Sequence, residues 1–281
     1  MINETTSKGR LVSAVTAAIA GVLMLTVVPI FGQEIVNTII QSLWGMFELS
    51  GDPTPRAAID IASVFMPMWI GITAFAGGIL LLMVKPIFDG KYWGRPLALG
   101  LVATAAITGA YMFGPIMNSS SHLAPKDITI MLIGLVPFVI FFLAEKSSAI
   151  EKTKNITLFL LLGILCAFSF TNGFSGLHNL ASRVEPRFYE DSTFFFAYGF
   201  PMIWLGVFLV IVGIPLLAGR SKAGWWITVI GVLGMVVMLG AFSITNPNAF
   251  FIGNFALALI VLLLLYNKSW GKRLIIKPSL D

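Results

Sequence analysis

The chain has 281 residues, of which 57% are hydrophobic and only 11% charged. One soluble core of this length cannot bury that much apolar surface, so the composition excludes an ordinary water-soluble domain and implies an all-α integral membrane protein. The net charge of +5 does not point to nucleic acid, because the basic residues sit in short segments between apolar runs, not along a stripe with aromatic stacking partners.

About 20 apolar residues of helix cross a hydrocarbon core roughly 30 Å thick, and windows of that kind predict eight transmembrane helices. The first runs from Leu11 to about Phe31, behind Lys8 and Arg10. It imitates a signal peptide but is long and lacks a small-x-small cleavage site before Gln33, so it is expected to stay as a helix. Residues 33–48 form an amphipathic segment, with Val36, Ile39, Ile40, Leu43, Trp44 and Phe47 at helical spacing and Asn37, Thr38 and Gln41 opposite. That pattern suits either a helix lying in the interface or an extension of the first span. Gly51, Pro53 and Pro55 then interrupt it, and Thr54 before Pro55 reads as an N-cap and first helical position.

The second span, Asp60 to Lys85, contains a stretch that recurs in the sixth, from about Thr193 to Gly219. Trp69 aligns with Trp204, Gly71 with Gly206, Gly78 with Gly213, and Lys85 with Arg220. The third span, Pro96 to about Met117, pairs with the seventh, Trp225 to about Ile244. There Gly109-Ala110-Tyr111 aligns with Gly240-Ala241-Phe242. The fourth, Ile128 to Ala144, pairs less clearly with the eighth, Phe250 to Tyr266, and the fifth, Ile156 to Phe170, echoes the first only in length and position. The chain therefore reads as two tandem four-helix repeats, residues 1–149 and 150–281. An even number of spans per repeat gives both the same orientation, related by an axis along the membrane normal.

Fourteen Lys and Arg fall on the side of the termini and four on the other, so both termini are expected to be cytoplasmic in a plasma membrane of prokaryotic type. Lipid tails are as apolar as leucine, and helices in a bilayer associate by close contact at small residues. Gly71, Gly78, Gly109, Gly206, Gly213 and Gly240, with Trp69 and Trp204, are thus the expected helix-packing positions. Spans two, three, six and seven are expected to form the packed centre, and spans four and eight to face lipid.

The chemistry is sparse. No ionisable residue lies at predicted mid-membrane depth, which disfavours a proton pump or a carrier of charged substrate. Outside the membrane, the predicted loop 171–192 gathers His178, Arg183, Glu185, Arg187, Glu190 and Asp191 into an outer-face cluster whose ordinary reading is a solvated loop and whose sharper reading is a binding surface. His122 lies in another outer loop. Neither histidine belongs to a metal-ligand spacing, and the chain carries no phosphate loop, dinucleotide fingerprint or nucleophile elbow, so no metal and no cofactor is expected. Cys166, the one cysteine, sits inside an apolar run and reads as a small buried residue.

The 4+4 layout resembles that of the quinol-handling NrfD-type membrane anchors, whose eight helices form two four-helix bundles. None of that family's functional residues is matched, so the resemblance is architectural and carries no site. Three functional readings follow. The first is a non-catalytic subunit or scaffold of a membrane complex, packed against other membrane protein subunits. The second is a binder or transporter of a neutral apolar molecule, lipid or quinone, at the interface of the two repeats. The weakest is an outer-face enzyme built on the His178 cluster.

Overall fold

The computed structural model of the chain describes residues 5–119, 121–182, 191–245 and 247–275. Eight of its helices are long and apolar enough to cross a bilayer: α1 (Ser7–Ser50), α2 (Pro53–Leu82), α4 (Gly94–Ser119), α5 (Ala124–Leu143), α6 (Ala149–Ala181), α7 (Asp191–Ala218), α8 (Lys222–Thr245) and α9 (Ala249–Tyr266). The short helix α3 (Val84–Phe88) links α2 to α4. Among the described residues there is no β-strand, only an isolated bridge between Thr5 and Glu145.

Local chemistry explains where the helices begin and end. The Thr6 hydroxyl accepts from the Gly9 N–H at 3.0 Å and starts α1, which then meets no breaker strong enough to stop it for 44 residues. At 1.5 Å per residue that is about 66 Å, more than twice a hydrocarbon core. Residues 33–48 are therefore an extension of the first span and not a separate interfacial helix. Gly51 ends α1 in the left-handed conformation at φ +65°, which glycine adopts without a Cβ clash. The cap of α2 is Asp52, two residues earlier than the expected Thr54: its carboxylate accepts from the Thr54 N–H at 2.9 Å, with Pro53 in the first turn. That hydrogen bond holds the Asp52 carboxyl below the usual carboxylate range. A full capping box, Ser148 with Glu151, starts α6.

Helices α1, α2, α4 and α5 pack on one another, and α6, α7, α8 and α9 form a second set in which α6 meets both α7 and α9. The sets join chiefly where α4 lies against α6 and α7. Two-thirds of the apolar window of α4 is buried (67%), followed by α6 at 56%, whereas α2 and α7 reach 39%. The packed centre is thus α4, the third span, as expected, but its companion is α6, the fifth span, in place of spans two, six and seven. Of the two spans expected to face lipid, α9 is the least enclosed of the eight (28%), but α5 is as enclosed as α8.

Both described chain ends lie at one end of the molecule. There Thr5 bridges to Glu145, Lys154 Nζ donates to the Ser269 carbonyl at 3.3 Å, and the Arg273 guanidinium donates to Asn155 Oδ1. At the far end Lys126 pairs with Glu34, and the His178 ring nitrogen lies 3.0 Å from the Thr54 carbonyl.

Candidate functional site

The two tryptophans singled out by the internal similarity converge on one residue of α6. The Trp204 ring stacks on Phe170 with centroids 4.9 Å apart, and the Trp69 ring meets the same Phe170 edge-on at 5.1 Å. Tyr111 adds a third ring at 4.9 Å, and Phe65 a fourth at 6.2 Å. Helices α2, α4, α6 and α7 are pinned together at this point, in edge and stacked geometries that aromatic quadrupoles favour. Trp204 Nε1 donates to the Phe170 carbonyl at 3.1 Å, and Gly173 leaves the room the indole occupies, since a Cβ there would meet Trp204 Nε1. Trp69 Nε1 and the Tyr111 hydroxyl are buried with no hydrogen-bond partner among the described residues. Phe170 and Gly173 were not among the expected contacts because neither belongs to the repeated stretch.

The glycines divide into two groups. A Cβ added at Gly109 would lie 2.6 Å from the backbone nitrogen of Met131 on α5. One at Gly206 would lie 2.7 Å from the Gly231 carbonyl on α8, one at Gly213 would run into the Thr228 hydroxyl, and one at Gly240 would lie 3.1 Å from the Phe255 ring. Gly71 and Gly78 differ: among the described residues nothing lies within 4 Å of a Cβ at either position. The close approach on α2 belongs instead to Gly77, whose Cβ would sit 2.7 Å from Met24 Cβ and 3.0 Å from the Gly21 carbonyl on α1. One residue turns a helix by about 100°, enough to move Gly78 off the face that Gly77 presents.

Polar groups inside the helix sets are few and mostly paired. Thr73 and Thr108 hydroxyls meet at 2.8 Å between α2 and α4, and Thr108 also donates to the Thr104 carbonyl. Asn254 Nδ2 donates to Ser169 Oγ at 3.2 Å between α9 and α6. Asn172, and Asp127 in the first turn of α5, are buried without a hydrogen-bond partner among the described residues. Cys166 is buried, its thiol 3.9 Å from the Val207 carbonyl.

At the end bearing the termini, three residues far apart in sequence meet. Glu145 is 3.4 Å from Arg95 Nη2 and 3.8 Å from Arg220 Nη2, with both Glu145 and Arg95 buried. Arg220 sits just past the end of α7 in the left-handed conformation at φ +58°. One carboxylate between two guanidiniums ties the α4 and α5 ends to the α7 end, and neutralises charge that burial would otherwise penalise strongly. Sequence reading missed this trio, since nothing in the spacing of 95, 145 and 220 links them. Nearby, an apolar cleft of about 630 Å³ opens between α4 and α7, with Gly100 and Pro215 on its floor and Tyr92 and Trp93 at its rim.

On the opposite face, His178 belongs to α6 and not to a loop, and its hydrogen bond to Thr54 joins α6 to the start of α2. Arg183, Glu185, Arg187, Glu190 and the side chain of Asp191 lie outside the described residues. His122 lies in a short 3₁₀ turn after α4. Among the described residues no group of three His, Cys, Asp or Glu is placed to hold a metal ion. Comparison with protein-family models, with curated proteins and with solved structures finds no match.

Proposed function

We propose that this chain is a multi-pass plasma-membrane protein of two tandem four-helix units with cytoplasmic termini, acting as a non-catalytic subunit or scaffold of a membrane complex. The observation that carries this reading is the length of α1. Measured from Lys8, a hydrocarbon core of about 30 Å ends near residue 28, and roughly 30 Å of helix stands beyond it. On that extension Trp44, Met46 and Leu49 are 40%, 44% and 92% exposed. Apolar side chains there have neither lipid nor core to cover them, the usual mark of a contact surface. Trp44 is held ready as an anchor: its Nε1 donates to Glu48 at 2.7 Å, and the Arg56 guanidinium lies 5.4 Å from its ring centre. A photo-crosslinking residue at position 49, activated in native membranes, is expected to give one discrete protein adduct that disappears in a Trp44→Ala background. Adducts to lipid alone would refute the subunit reading.

A second reading has its own observation. The cleft between α4 and α7 is apolar, sits where the two helix sets meet, and is large enough to take a lipid tail or quinone ring. A neutral apolar ligand bound there is expected to be lost on Val212→Trp, which adds bulk to the exposed α7 wall of the cleft. Retention of the same small mass in that variant would count against it.

A further inference from the structure

We propose a binding site for an acidic phospholipid at the termini-bearing end, in the cleft between the first turn of α1 and the junction of α5 with α6. The proposal rests on the chain lying in a bilayer and is independent of the subunit reading.

The cleft has a volume of about 660 Å³ and two chemically distinct levels. Lys8, Lys146 and Lys152 line its outer part, and Val12, Ile140 and Leu143 line it further in. Lys8 and Val12 are one helical turn apart on α1, about 6 Å along the axis, and Ile140 lies about 5 Å inward of Leu143 on α5. The apolar part continues the lipid-facing seam of α1 and α5: Val12 and Leu143 are both about half exposed. A phosphate held by the lysines would therefore have its acyl chains directed along that seam, with no turn required. A soluble anion has nothing to place against the apolar level.

The surrounding charges favour the same occupant. Glu145 borders the cleft, but its carboxylate is already engaged by Arg95 and Arg220. Glu151, the next acidic residue, is committed to the capping box of α6. Lys152 Nζ is held in place by donating to the Leu143 carbonyl at 2.8 Å, which uses one of its three N–H donors and leaves two for a ligand. The Gly9 backbone packs against the Ala144 carbonyl, so the two walls of the cleft are fixed relative to each other. The Lys8 and Lys152 ammoniums at headgroup depth over an apolar floor, with Lys146 beside them, form the arrangement by which basic pockets between membrane helices select anionic over zwitterionic headgroups.

The test is native mass spectrometry of the whole protein in detergent, titrated separately with phosphatidylglycerol and phosphatidylcholine of matched chains. The expected result is retention of one phosphatidylglycerol in preference to phosphatidylcholine. Each of Lys8→Gln and Lys152→Gln should weaken that retention about fivefold, and the double variant about twenty-five-fold. Equal retention of the two lipids by the unmodified protein overturns the proposal. A control double, Lys91→Gln and Lys222→Gln, changes the charge of the same end equally but leaves the cleft intact. An equal loss in that control means general attraction to a basic surface and also overturns it. Competition by soluble glycerol phosphate at the lipid's own concentration would assign the site to a free anion and count against a lipid.

Discussion

Exchanging Gly77 for leucine and, separately, its neighbour Gly78 for leucine puts the same change at the same membrane depth on two faces of α2. At Gly77 the first added atom already conflicts with α1: Cβ would stand 2.7 Å from Met24 Cβ and 3.0 Å from the Gly21 carbonyl, against an ordinary contact of 3.4–4 Å. The reciprocal contact is equally tight, since a Cβ on Gly21 would lie 3.0 Å from the Gly77 carbonyl, and a backbone atom cannot rotate away. Helices α1 and α2 would have to part by about 1 Å, which forfeits a quarter to a half of the dispersion energy at each contact along the seam. Overpacking of this kind costs about 1–3 kcal/mol, and the rest of a leucine side chain pushes the value to the upper end. At Gly78 nothing lies within 4 Å of the new Cβ. There the change removes a glycine from a helix interior and is worth about 0.5–1 kcal/mol of stabilisation. The assay is the temperature at which each variant loses its monodisperse peak in detergent on size-exclusion chromatography. Gly77→Leu should fall well below the parent, and Gly78→Leu should equal or exceed it. The reverse order would mean that α2 turns its other face to α1 and that the helix packing described above is wrong.

Replacing Glu145 by Gln removes the carboxylate that Arg95 and Arg220 share, and should lower stability by on the order of 3 kcal/mol. The loss should exceed that of Arg220→Gln, because Arg220 is the more exposed partner. Phe170→Ala should cost about 2–3 kcal/mol, since inside a bilayer only packing and cavity terms act. It should also change the fluorescence of Trp69 and Trp204, and unchanged emission would contradict their shared contact with that ring. Cysteines placed at Leu49 and Asn179 should react with an impermeant maleimide added to intact cells, and cysteines at Ser148 and Lys222 only after permeabilisation. The inverse pattern would place the termini outside. Cys166 is buried and should give no background.

The eight spans could be read from the sequence because a bilayer demands runs of about 20 apolar residues, and that demand is independent of what the helices touch. Facing was much less legible, for a related reason. In water a core side and a solvent side differ in polarity, whereas in lipid both sides of a helix are apolar, and the pattern loses its contrast. Internal similarity therefore selected Gly78, which repeats, while the contact belongs to Gly77, which does not. The same loss of contrast hid α6, whose apolar run looks like any other although it carries Phe170 and Gly173 to the centre. Glu145 looked like a loop residue because its partners come from segments 50 and 75 residues away in sequence. The unbroken length of α1 follows from residues 33–48 having no glycine–proline pair, and of the two arrangements their polar stripe allows, the structure takes the extension of the first span.

Whether this chain works as one member of a membrane complex is decided by native mass spectrometry after gentle detergent extraction from the native membrane. The expected result is a defined assembly containing this chain and at least one other protein, which dissociates when Leu49 is changed to Asp on the α1 extension. A monomer or homo-oligomer that retains a lipid- or quinone-sized mass would contradict it and favour a small-molecule binder with its site in the cleft between α4 and α7.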